Sequence, residues 1–253
     1  MKTFIKYSLI AFTFFSCSSG SNDSATTKHP TEPLDTIKTR PASINTRPVV
    51  FEAAFINGTT LTTRNTVFTS YGITIGKIKI ISGRIISCDP LHIDEYGIPF
   101  TYNFPTGEFP VQLAIARLQD EETVAFARIS FSDEPVVRWE MALQEGQKAV
   151  PFGQQDIQGY STDSWSGLFI DTAAYELLNK DLILKENGAV YKEMNKRRHE
   201  KWRYCMFNFG SNNAAVFSSG YQDGYFASYI GFDAKRNTCR LITDFDIFEW
   251  RKK

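Results

Sequence analysis

Three histidines and four cysteines are all that 253 residues offer for the commonest metal and nucleophile chemistry. No CxxC pair, HExxH, GxSxG elbow or calcium-loop pattern occurs, so the usual zinc, serine-hydrolase and EF-hand sites are not expected, and neither a metal nor a cofactor is predicted. "GITIGK", Gly72 to Lys77, has one residue too few between its glycines for a phosphate loop and lacks the Ser or Thr that would hold magnesium; it reads as a strand. The charges cancel, with 28 basic and 28 acidic side chains, which removes the basic excess a nucleic-acid coat protein needs. No fixed repeat period is present, and no apolar run is long enough for a permanent membrane span. Beyond Cys17, the cysteines are Cys88, Cys205 and Cys239; an odd number allows at most one disulfide, and three buried free thiols are the simpler expectation.

What is present begins at the first residue. Lys2 and Lys6 precede a short apolar run, Ser8 to Phe15, and the run ends in Phe14-Phe15-Ser16-Cys17, which resembles a bacterial lipobox. Residues 1–16 are therefore predicted to be an export signal and Cys17 the lipidated first residue of the mature chain. Residues 17–48, rich in Ser, Thr and Pro, cannot bury enough apolar area to fold and read as a tether, with His29 as a solvated linker residue. Residues 49–253 are predicted to form one globular domain. Acyl chains at Cys17 would hold the protein to the bacterial cell envelope. Serine after Cys17 fits sorting to the outer membrane in a cell that has one.

From Val49 onward, short runs of β-branched and aromatic residues alternate with turn residues, the pattern of antiparallel strands. A hairpin is predicted at Ser82-Gly83, ended by Asp89-Pro90, and another around Gln119 to Glu122, with "VVRWEMAL" as a further strand. One short helix is predicted from about Thr172 with Asp171 as its N-cap, and a second over Tyr191 to Glu200. The class is α+β with a mainly antiparallel sheet.

"SSGYQDGYFASYIGFD", Ser218 to Asp233, invites a three-stranded meander. With Asp223-Gly224 as a two-residue turn, Ser218 faces Tyr229; with Ala234 to Asn237 as the next loop, Leu241 meets Ile230, Thr243 meets Ser228 and Phe245 meets Phe226. Phe217, Ile230 and Leu241 then point to the core. The opposite face collects Ser218, Gly220, Gln222, Tyr225, Tyr229, Gly231, Arg240 and Asp244, an exposed surface with a surface pair of Arg240 and Asp244. Ser218, Tyr225, Tyr229, Arg240 and Asp244 are the candidate binding residues, for an envelope protein or a small polar ligand.

Acid and base groups offer an alternative. "SCDPLHIDEYG" gathers Asp89, His92, Asp94 and Glu95 in one loop, and Asp89, His92 and Asp244 are the least unsuitable set for a carboxylate-dependent hydrolase. Glu140 reads as a strand ion-pair partner. The basic cluster "YKEMNKRRHEKWR", Tyr191 to Arg203, could touch phosphates, but its glutamates and helical spacing suit a solvated helix, with His199 on it; no nucleic-acid partner is expected.

The blocks "SGRIISCDPL", "FPVQLAIA", "ARISFSDEPVVRWEMAL", "GLFID" and "VFSSGYQDGYFASYIGFDAKRNTCRLITDF" resemble, in order, the bacterial family of domain of unknown function 4241, from about Gly83 to Phe245. The resemblance implies no activity. It does imply a cysteine in the block that here reads "SWSGLFID", where this chain has Leu168, so chemistry resting on that thiol is not expected here. Lacking a nucleophile or metal motif, the sequence favours a non-catalytic binding domain.

Overall fold

A computed structural model describes residues 48–251, apart from 64, 180, 182, 184–187, 197, 199 and 200. Cys17, the segment predicted to be a tether with His29, and His199 lie outside the described residues.

The strands are β1 (Thr59–Thr63), β2 (Thr66–Ile80), β3 (Ile85–Cys88), β4 (Gly107–Leu118), β5 (Glu121–Ser130), β6 (Arg138–Met141), β7 (Tyr160–Thr162), β8 (Ser166–Asp171), β9 (Tyr204–Phe209), β10 (Asn212–Ser218), β11 (Gly224–Phe232) and β12 (Thr238–Asp244). Among the described residues, four short α-helices accompany them: α1 (Val50–Ala53), α2 (Ile93–Tyr96), α3 (Thr172–Glu176) and α4 (Ala189–Lys196). The fold is thus mostly antiparallel β. An eight-stranded sheet, ordered β1-β2-β4-β5-β12-β11-β6 with β7 also on β11, curls into a half-barrel. A four-stranded sheet, β3-β8-β10-β9, packs across it.

Period-two alternation sends each strand's side chains to two faces, and here both faces are covered. Between the sheets, Ile78, Leu113, Ile129, Ile230 and Leu241 meet Phe169, Ala215 and Phe217. The outer face of the four-stranded sheet, with Leu168, Ile170, Val216 and Phe207, is covered by Ile93, Ala174, Val190 and Met194 of the helices. The outer face of the eight-stranded sheet, with Ala114, Phe126, Tyr229 and Ile242, is covered by Phe51 and Phe55 near α1 and by Phe248 and Trp250 of a C-terminal strap.

The hairpin at Gln119 forms as expected, Leu118 opposite Glu121. Asp171 caps α3 by accepting from the Ala173 N–H at 2.9 Å. Two expected hairpins do not form. At Ser82-Gly83 the chain leaves β2 in the larger sheet for β3 in the smaller one, and at Ser219 to Asp223 it crosses back from β10 to β11. Turn residues next to strands are present at both places, but these turns change sheets rather than reverse a strand. The β11–β12 register is as expected at Ile230 with Leu241 and Ser228 with Thr243, while a bulge after Gly231 places Phe232 opposite Thr238 rather than Cys239. Gly231 has no Cβ because the Trp139 ring fills that space, 2.8 Å from where the atom would stand. Cys88, Cys205 and Cys239 are buried, and no disulfide joins any two of them.

Candidate functional site

Antiparallel pairing brings three chain segments to one end of the four-stranded sheet. β10 runs between β8 and β9, so its last residue lies beside the first residues of both neighbours: Ser218 stands opposite Ser166, and Phe217 opposite Tyr204. The residues just outside these strands form a cleft of about 240 Å³ lined by Trp165, Arg198, Lys201, Trp202, Arg203, Ser218 and Gly220. The start of β5 reaches this lining, Glu121 through Lys201 and Glu122 through Trp202.

Each wall is held from below. The Asp89 carboxylate accepts from the Asp163 and Ser164 N–H groups at 2.7 and 2.8 Å and from the Ser164 hydroxyl at 2.6 Å. It also accepts from the Leu91 N–H at 2.8 Å. This clamps the turn that presents Trp165, whose N–H donates to Asp223 at 3.1 Å and whose carbonyl accepts from Ser219 at 3.0 Å. Trp165 sits at φ 54°, a left-handed backbone that costs a bulky residue about 1 to 3 kcal/mol. Its side chain is nonetheless 58% exposed, so burial does not offset the strain.

Trp202 is buried on the opposite side, its indole N–H donating to Glu122 at 3.1 Å. Glu122 also accepts from Tyr71 and Arg117. Burial alone would raise its pKa, but the hydrogen bonds from Trp202, Arg117 and Tyr71 and the Arg117 charge hold it below the ordinary value. Lys201 pairs with Glu121 at 2.9 Å. The Arg203 backbone is locked to Ser218, whose hydroxyl accepts from the Arg203 N–H at 3.0 Å. The Arg203 guanidinium donates to the Asn195 amide at 2.9 Å and lies over the Tyr191 ring. Among the described residues, no carboxylate pairs with Arg198 or Arg203.

A family model described as "Protein of unknown function (DUF4241)" matches residues 78–243, about two thirds of the chain. The chain belongs to this family. No curated protein and no solved structure matches. The DUF4241 match contains every residue lining the cleft and leaves out α1 and the C-terminal strap.

The residues proposed from sequence are scattered by the fold. Ser218 lines the cleft. Tyr225 is exposed, and its hydroxyl accepts from the Gly159 N–H at 2.9 Å. Tyr229, Arg240 and Asp244 share a face as expected, but that face is buried, because α1 and the strap cover it. Arg240 pairs with Glu52 at 3.2 Å rather than with Asp244. Asp244 takes Arg251 at 2.6 Å and the Trp250 indole N–H at 2.8 Å, and burial pushes its pKa up to about 6. Four residues along one strand span roughly 13 Å, too far for the expected Arg240 and Asp244 pair.

Asp89, His92 and Asp244 do not converge. His92 approaches Asp163 at 3.9 Å, Asp89 is filled by its four donors, and Asp244 faces the strap on the far side of the larger sheet. Glu140 pairs with Arg138 at 2.7 Å, as read from the sequence. The sequence reading missed Trp165, Lys201, Trp202 and Arg203 as site residues. Helix α4 ends at Lys196, so "KWR" is not on a helix at all but on the approach to β9. A tryptophan between two cations directly before a strand was the available signal.

Proposed function

We propose that this chain is a lipid-anchored protein of the bacterial envelope, tethered through Cys17, and that its folded part is a non-catalytic binding module. Its ligand site is the cleft between Trp165 and Arg203. One observation carries this reading: Trp165 is held exposed at a strained backbone angle by a dedicated, fully saturated carboxylate, at the mouth of the cleft. Strain of this kind persists where the surroundings enforce it, and an exposed indole at a cleft mouth is contact area set up in advance. The volume is below the roughly 300 Å³ at which pockets begin to engulf drug-sized molecules, so it suits a head group or one small ring. Asp89 and Asp244 are occupied in structural hydrogen bonds and do not converge with His92, which takes support from the hydrolase alternative. The outer membrane is the proposed location where the cell has one.

The test is native mass spectrometry of the full-length protein extracted from its own envelope in detergent. A bound small molecule that is recovered chemically unchanged, and is lost from the Trp165→Ala and Arg203→Ala proteins, is the expected result. A ligand released in altered form would point to an enzyme, and one retained by both variants would place the site elsewhere.

A further inference from the structure

Resting on that reading of the cleft, we infer that its ligand carries a phosphate monoester on a ring, the phosphate held by Arg198 and Arg203 and the ring laid on Trp165. Charge decides the first half. Around the cleft, Glu121 is matched by Lys201, and Glu122 by Arg117 and Trp202. Two arginines on the lining, Arg198 and Arg203, stand opposite each other in a backbone bridge and have no carboxylate partner among the described residues. A phosphate monoester brings about 1.5 to 2 negative charges at neutral pH and a carboxylate brings one, so the dianion balances the pair. Guanidinium forks also match the spacing of phosphate oxygens, each able to give two parallel N–H bonds. Arg203 is set for this role. Ser218 fixes its backbone, while Asn195 and the Tyr191 ring fix its head and use only part of its five-donor capacity.

Geometry decides the second half. Trp202 is buried with its N–H committed to Glu122, whereas Trp165 offers an open ring at the rim. A small acidic head group fills the cleft, and what it is attached to must leave past Trp165. A flat or ring-shaped group there gains the stacking area that an exposed indole provides.

The experiment measures binding of the full-length protein in detergent to glucose 1-phosphate, glucuronate, glucose and inorganic phosphate by equilibrium dialysis, and to vesicles containing phosphatidic acid by flotation. Glucose 1-phosphate is expected to bind at least about tenfold tighter than glucuronate, and glucose not measurably, because the charge-assisted pairs supply most of the affinity. Arg203→Ala and Arg198→Ala should each weaken it about tenfold or more while circular dichroism and melting temperature stay close to native. Trp165→Ala should weaken glucose 1-phosphate but leave inorganic phosphate within about threefold, since only the ring contact is lost.

Equal affinity for glucuronate, or no saturable binding of any phosphate probe, overturns the inference. Binding to phosphatidic acid vesicles alone would overturn the ring half of the inference, since that head group carries no ring; binding to glucose 1-phosphate and not to the vesicles would assign the phosphate to a soluble compound. If the co-purified envelope ligand still depends on Trp165 and Arg203 while the phosphate probes fail, the cleft remains the site and only the phosphate assignment falls.

Discussion

Trp165 and Tyr229 show what a single side chain's surroundings decide. At φ 54° any Cβ strains the backbone of residue 165, and glycine does not. The Trp165→Gly protein is therefore expected to be about 1 kcal/mol more stable than Trp165→Ala in urea unfolding, a reversal of the usual order. Equal stabilities would mean that the turn relaxes and stores no strain. Tyr229 has the opposite character. It is 1% exposed, touches the Phe51 and Trp250 rings at 5.2 and 5.3 Å and meets Arg251 through its hydroxyl. Tyr229→Ala should cost about 3 to 5 kcal/mol, comparable to Phe217→Ala, because both remove a buried ring and leave a cavity. A cost under 1 kcal/mol would show the face to be open to solvent, as the sequence pattern had suggested.

Two short elements act through buried charge. Helix α1 is only four residues long, too short to be stable by itself. It is held by Glu52, which meets Arg128 and Arg240 at 3.2 Å each beneath the Phe51 and Phe55 rings. Burial lowers the pKa of Arg128 to about 10 despite the Glu52 charge, so its neutralisation at physiological pH is not an escape. Glu52→Ala leaves two buried guanidiniums unpaired and should destabilise by about 3 to 5 kcal/mol, whereas a surface pair such as Lys201 with Glu121 would cost under about 1 kcal/mol. At the start of β5, Glu122 has a folded pKa below its ordinary value of 4.5. Its ionised form thus favours the folded state, a contribution complete above pH 4.5 and lost as pH falls through the folded value. Glu122→Gln should be less stable than the native protein at pH 7 by about 2 kcal/mol, with the gap closing in acid. A gap that stays constant from pH 7 to pH 3 would show that the charge is not what matters.

At the scale of the molecule, the two ends of the described chain, α1 and the strap, meet on one face of the larger sheet. Ending the chain after Asp246 removes Phe248, Trp250 and Arg251 and uncovers Tyr229 and Asp244. Such a protein is expected to melt well below the full-length one, while loss of Ser18 to Thr46 leaves the melting temperature nearly unchanged because that segment has too few apolar residues to contribute. A large drop on removing Ser18 to Thr46 would mean that the tether packs on the domain.

Alternation and turn chemistry by themselves determined the antiparallel strand class, the register of β11 on β12 as far as the bulge after Gly231, the hairpin at Gln119 and the cap at Asp171, because these rest on residues close in sequence. They also placed Phe217, Ile230 and Leu241 in the core. They did not determine which sheet a strand joins, since a turn such as Ser82-Gly83 or Ser219 to Asp223 looks the same whether the chain reverses or crosses. Nor did they show that the Tyr229 face is covered, because its cover comes from Phe51 and Trp250 at opposite ends of the chain, nearly 200 residues apart. The cleft was illegible for the same reason: Trp165, Arg203 and Ser218 become neighbours only when β10 takes its place between β8 and β9.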